Sequence, residues 1–250
     1  MKTRLLDLFE ARSGVVCVVG AGGKKTTMYR LATAHPGKVG ITSTVLTPPF
    51  RKRLGAHVVV EDREHLTSVV GVAAQRYKRV AFATPCDKPA RVGGVEPRQI
   101  IDIHNHAGFD VCIVKGDGAR LRWIKAPGEN EPVIPPSSVV IPILSAHAIG
   151  EPLSEKITHR LREFSEVTGA QPGDPITPEL VARLLASERG SLKNVGAARV
   201  IVVINMVDTS RYSTVARDVA KQALELSSKI VRVVLAKMID EDPVVDVVER

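Results

Sequence analysis

Eight short apolar, β-branched runs alternate along this chain with segments of helical character, and few folds accommodate that alternation. The runs are VVCVV (15 to 19), KVGIT (38 to 42), HVVV (57 to 60), RVAFAT (79 to 84), DVCIV (110 to 114), SVVIPI (138 to 143), RVIVVI (199 to 204) and IVRVVL (230 to 235). Near-continuous apolarity marks strands covered on both faces. Helical character falls at 26 to 34, 63 to 77, 96 to 105, 154 to 168, 178 to 187 and 211 to 227, where crossover connections are needed. The pattern predicts an α/β fold, a mostly parallel sheet with helices on both faces, forming one main domain over 1–250.

Two stretches break this rhythm. The segment 116 to 136, GDGARLRWIKAPGENEPVIPP, mixes charge, glycine and proline without periodicity and is long for a simple connection. Ordered loops of that length are often functional. The stretch 154 to 193 inserts two helices between strands and is read as a small helical cap or insertion.

At 250 residues the chain can bury a full core, and 44% hydrophobic with 25% charged residues argues against disorder. The net charge of +8 favours anionic ligands. Without a Lys/Arg block, and with only 4% aromatics for stacking on bases, nucleic-acid binding is disfavoured. The opening MKTRLLDLFEARSG lacks the apolar core of a signal peptide, and no apolar run approaches the roughly 20 residues of a membrane span. The expectation is a cytoplasmic protein without membrane partners. Cys17, Cys86 and Cys112 have neither disulfide-framework nor zinc-knuckle spacing, and only Cys86 lies outside an apolar run.

The chemistry concentrates in VVGAGGKKTT (18 to 27). A strand leads into Gly20-Ala21-Gly22-Gly23-Lys24-Lys25-Thr26-Thr27, and a helix follows, the context that makes a glycine-lysine loop a phosphate cradle. Glycines let backbone N–H groups close on phosphate oxygens, and the helix N-terminus favours the anion. The loop is a short variant, because Val18 stands where the standard spacing has its first glycine. Lys25 stands where a hydroxyl ordinarily holds Mg²⁺. Either Lys25 acts as the phosphate lysine and Thr26 takes the metal, or Lys24 keeps its role and metal affinity falls.

This loop, taken with ITSTVLTPP, GDGARLRWIKAPGENEPVIPP, THR and VVINMVD, resembles the selenium cofactor biosynthesis protein family YqeC over nearly the whole chain. The resemblance implies a P-loop NTPase-like fold and a link to maturation of molybdenum hydroxylases that carry selenium. Gly20, Gly22, Gly23 and Lys24 match the family's G-x-G-G-K, with Lys25 replacing Thr. Thr42, Ser43 and Thr44 match its threonine run, followed here by Val45. Asp117 and Gly118 match its E-A-D-G segment, with Lys115 replacing the glutamate. Asn205 and Asp208 match an N-K-x-D-like segment, with Met206 replacing the lysine.

Ligands of open α/β sheets bind beyond the carboxyl ends of the strands, where the loops after 19, 42, 114 and 204 are expected. Thr42 and Thr44 offer hydroxyls to metal or phosphate, or close turns. Asp117 offers a carboxylate to Mg²⁺ or forms an Asp-Gly turn. Lys115 repels metal and attracts phosphate, and Arg120, Arg122 and Lys125 can clamp an anion. Asn205 and Asp208 read a base or form a plain strand-to-helix loop. His104 and His106 form an HxH pair without a third ligand, and His159-Arg160 belongs to the T-H-R segment. The expected cofactors are ATP or GTP with Mg²⁺, and Lys24, Lys25 and Asp117 are the candidate catalytic groups. The resemblance implies as partner a selenium-dependent molybdenum hydroxylase or its molybdenum cofactor. The alternatives are a nucleotide- or pterin-cofactor-binding chaperone without turnover and a small-molecule kinase.

Overall fold

The computed structural model describes residues 2–250. The chain divides into two compact units, one holding the residues up to Val18 with Thr27–Gly118 and Val133–Val139, the other Val19–Thr26, Ala119–Pro132 and Val140–Arg250. Both are α/β, with a mostly parallel sheet flanked by helices, as the alternation predicts.

Strands β1 (Gly14–Gly20), β2 (Val39–Ser43), β3 (His57–Val60), β4 (Arg79–Ala83) and β5 (Val111–Lys115) belong to the first unit, although β1 and helix α2 (Lys24–Ala34) each run on across the division. Helices α1 (Lys2–Leu8), α3 (Arg63–Arg76) and α4 (Pro97–Ala107) complete it. The strand order is β1-β5-β2-β4-β3, all parallel, with Val15 opposite Cys112, Ile41 opposite Ile113 and Val59 opposite Phe82. Every residue of β2 and β5 is buried, as continuous apolarity requires. The thiols of Cys17 and Cys112 are fully buried there, and burial pushes both far above the usual thiol range. The edge strand β3 departs from expectation. Its HVVV run is apolar, yet only Val59 is buried, and the His57 ring stacks on Tyr77 with centroids 4.1 Å apart.

The second unit contains β6 (Ile124–Lys125), β7 (Val139–Ser145) apart from its first residue, β8 (Thr158–His159), β9 (Arg199–Asn205), β10 (Ile230–Ala236) and β11 (Val244–Glu249), with α5 (Leu161–Thr168), α6 (Pro178–Ala186) and α7 (Ser210–Leu226). Its main strands run β11-β10-β9-β7, and β6 pairs with β8. β10 is parallel to β9 and antiparallel to β11. Thr177 and Thr209 cap α6 and α7, each hydroxyl accepting from the backbone N–H three residues on.

The helix expected over 154 to 168 begins only at Leu161. Residues 158 and 159 are instead drawn into β8, where Thr158 faces Ile124 and His159 faces Lys125, and Trp123 N–H donates to the Ile157 carbonyl. The long loop is therefore tied down. Lys193 Nζ donates to the Gly128 and Glu129 carbonyls, and Asn194 Nδ2 to the Pro132 carbonyl. No helix among the described residues is long and apolar enough to cross a membrane.

Candidate functional site

The glycine loop is shaped by the segments of the second unit that hold it. Ala21 N–H donates to the Ile143 carbonyl at 2.7 Å and Gly22 N–H to the Arg122 carbonyl at 3.2 Å. On the other side Asn205, buried at the end of β9, donates its Nδ2 to the Gly22 carbonyl at 2.8 Å. The same amide accepts the Met238 N–H at 2.9 Å through Oδ1. Both ends of the Asn205 side chain thus serve the protein, binding the loop to the start of the segment after β10.

This clamp explains two glycines. Gly22 has φ +75°, and a Cβ there would lie 2.5 Å from Ser145 N; Gly23 has φ +134°, and a Cβ there would lie 2.2 Å from Asn205 Nδ2. No side chain fits either place without displacing backbone or the clamp. Lys24 is buried, and its ammonium donates back to the Gly20 carbonyl across the turn. Lys25 and Thr26 are half-buried at the start of α2, and Thr27 is fully buried.

In the first unit the threonine run and the end of β5 meet. Thr42 is fully buried, and its hydroxyl donates to the Phe82 carbonyl at 2.7 Å. Thr44 Oγ1 donates to the Val133 carbonyl at 2.7 Å, and its N–H donates to the Lys115 carbonyl at 3.0 Å. Ser43 Oγ reaches the same Lys115 carbonyl at 3.1 Å. These hydroxyls close the sheet end. Asp117 is 2% exposed, and its charge raises the Cys17 thiol further after burial has done so.

Beyond β9 the arrangement differs from a simple base-reading loop. Met206 takes a left-handed conformation with φ +61°, and its sulfur accepts the Ser145 hydroxyl at 3.1 Å. Asp208 receives Nε2 of His147 at 3.0 and 3.2 Å. His147 packs edge-on against Trp123, centroids 5.7 Å apart, and lies 4.8 Å from the Tyr212 ring. Sequence reasoning missed His147, Trp123 and Tyr212. The one available signal was that the chain's single tryptophan lies in its long loop.

The T-H-R segment pairs with Ile124 and Lys125, directly after Trp123. Arg160, at φ +68°, lays its guanidinium against Gly128, where a Cβ would be 2.9 Å from Cζ, and reaches Glu131 at 3.5 Å. Glu131 also pairs at 2.8 Å with Lys125, whose side chain is 1% exposed. Lys125 is thus engaged with a carboxylate, not presented as an anion clamp. Gly128, Glu131 and Arg160 border a cavity of about 520 Å³ that Arg162, Glu163, Arg189 and Lys193 also line. His104 and His106 lie in the last turn of α4, and burial lowers the His104 ring.

His159 is pushed down to about 4, first by burial and then by the Lys125 charge, with Glu131 opposing. Its ordinary value is 6.5. Between these two values the unfolded chain binds a proton that the folded chain refuses, so stability rises with pH across the window. The contribution is complete above about 6.5, shrinks as the pH falls and is gone below about 4. Discounted for the ring's partial exposure, it amounts to about 1–2 kcal/mol. Denaturant unfolding at pH 7.5 and 4.5 is expected to show native protein losing that much more stability than His159→Gln.

No group of three or more His, Cys, Asp or Glu placed to hold a metal ion occurs among the described residues. Comparison with known proteins places the chain. The profile of the family described as "YqeC protein" matches residues 16–162. A protein of Escherichia coli (strain K12) named "Uncharacterized protein YqeC" is 30% identical over 196 residues, which is 74% of this chain and 73% of that one. The match takes in the glycine loop, the sheet-end threonines, the long loop and the T-H-R segment, and the chain belongs to the YqeC family.

Proposed function

We propose that this chain is a nucleotide-binding, Mg²⁺-dependent NTP-hydrolysing accessory protein for maturation of selenium-dependent molybdenum hydroxylases. Membership of the YqeC family supports a role in selenium-related cofactor biosynthesis. The observation that carries the nucleotide reading is the clamped loop, with Gly22 and Gly23 in glycine-only geometry and Lys24 folded over the turn. A loop so fixed keeps its backbone close to an incoming anion without reorganisation.

In this reading Lys24 is the phosphate lysine. Its ammonium exchanges the Gly20 carbonyl for phosphate oxygens. Mg²⁺ takes most of its ligands from water and phosphate, so one or two protein oxygens suffice. Thr26, in the first turn of α2 beside the loop, carries an oxygen of that type. The ion would neutralise charge on the phosphates of ATP or GTP.

Lys25, in the place where a metal-holding hydroxyl usually stands, favours a second reading: nucleotide binding without turnover. Phosphate release from ATP and GTP, with and without Mg²⁺, separates them. The first reading expects Mg²⁺-dependent release that falls about 100-fold in Lys24→Ala. Nucleotide bound with no phosphate released supports the second.

A further inference from the structure

Three segments hold Gly22 in place, and each carries, one to three residues farther on, a member of one exposed cluster. Arg122, whose carbonyl receives the Gly22 N–H, precedes Trp123. Ser145, which a side chain at Gly22 would strike, precedes His147 by two residues and accepts the His147 N–H at 3.2 Å. Asn205, which grips the Gly22 carbonyl, precedes Asp208 by three. Tyr212 joins them from the first turn of α7. The fixed loop and the ring cluster are therefore built on the same supports.

The rings are an unusual concentration. The chain has one Trp and three Tyr among 250 residues, and Trp123, His147 and Tyr212 gather at one place, each half-exposed. A core would bury such rings, whereas these keep part of their faces in solvent. Asp208 fixes the orientation of His147 by accepting Nε2–H, which leaves Nδ1 as an acceptor that makes no hydrogen bond with any described residue.

We infer that the Trp123–His147–Tyr212 cluster receives the purine base of a nucleoside triphosphate, stacking on its flat face, while His147 Nδ1 accepts a hydrogen bond from a base N–H. This rests on the proposal that the glycine loop holds the phosphates, and it names the residues that bind the rest of the ligand. Inorganic triphosphate presents only the part the loop would bind, so comparison with ATP and GTP isolates the base. Trp123, the single tryptophan, supplies the readout through its own fluorescence.

ATP or GTP is expected to change Trp123 fluorescence and to bind at least about 10-fold more tightly than triphosphate, as stacking of one base permits. His147→Ala and Tyr212→Ala are each expected to weaken nucleotide binding about 10-fold while triphosphate affinity stays as in the native protein. Unchanged triphosphate affinity also reports that the variants fold. If nucleotide and triphosphate bind alike, or if both variants bind nucleotide as the native protein does, the base does not lie on these rings and the loop assignment survives. If neither nucleotide nor triphosphate binds, the loop assignment falls and the base site falls with it.

Discussion

Gly23→Ala is expected to lower the stability of the protein by about 3 kcal/mol and to abolish nucleotide binding. Two costs add at this one position. The backbone sits at φ +134°, where only glycine is unstrained, and the new methyl would stand 2.2 Å from Asn205 Nδ2. The side chain of Asn205 cannot simply swing away, because it is buried and its Oδ1 holds the Met238 N–H. For a chain of this length the loss corresponds to a fall in Tm of about 6–12 °C, read by thermal unfolding. An unchanged Tm would mean that the loop relaxes freely and is no clamped cradle.

Asn205→Asp is expected to cost about as much, by a different route. A carboxylate keeps an acceptor for Met238 N–H but turns its other oxygen toward the Gly22 carbonyl, replacing a 2.8 Å hydrogen bond by repulsion. Loss of a buried bond with a charge left unpaired costs about 3 kcal/mol. Asn205→Ala leaves the Gly22 carbonyl and Met238 N–H unsatisfied and costs about 2 kcal/mol. It also removes the atom that the Gly23→Ala methyl would strike. The double variant Gly23→Ala/Asn205→Ala should therefore be more stable than the sum of the single losses, by about 1 kcal/mol in a double-mutant cycle. Strict additivity would show that Asn205 does not press on the loop.

Much of the fold was legible because burial on both faces leaves a continuous apolar signature, and all eight expected strands are present. The strand β11 was not legible. Its VVDVVE run lies half-exposed beside β10, with Asp246 at its centre, and lacks that signature. The helix expected from 154 failed for a related reason. What decides Thr158 and His159 is pairing with Ile124 and Lys125, more than thirty residues earlier, and local propensity carries no trace of it.

The site divides in the same way. The glycines and lysines were visible because backbone geometry restricts residue type locally. Asn205 was visible as a motif position, but its service to Gly22, 183 residues away, was not. His147 lies in SAHAIG, which resembles no motif, and its partners come from residues 123, 208 and 212. A single sequence does not reveal which distant residues share a site.

The central claim is that the clamped loop is a working nucleotide site in which Lys24 holds phosphate. Calorimetric titration of ATP and GTP, with and without Mg²⁺, into native protein, Lys24→Ala, Lys25→Ala and Thr26→Ala tests it most directly. The account predicts binding to the native protein that Mg²⁺ strengthens, a loss of about 100-fold in Lys24→Ala and a loss of about 10-fold or less in Lys25→Ala. Binding kept in Lys24→Ala and lost in Lys25→Ala would contradict the role assigned to Lys24, and absence of nucleotide binding under every condition would contradict the site itself.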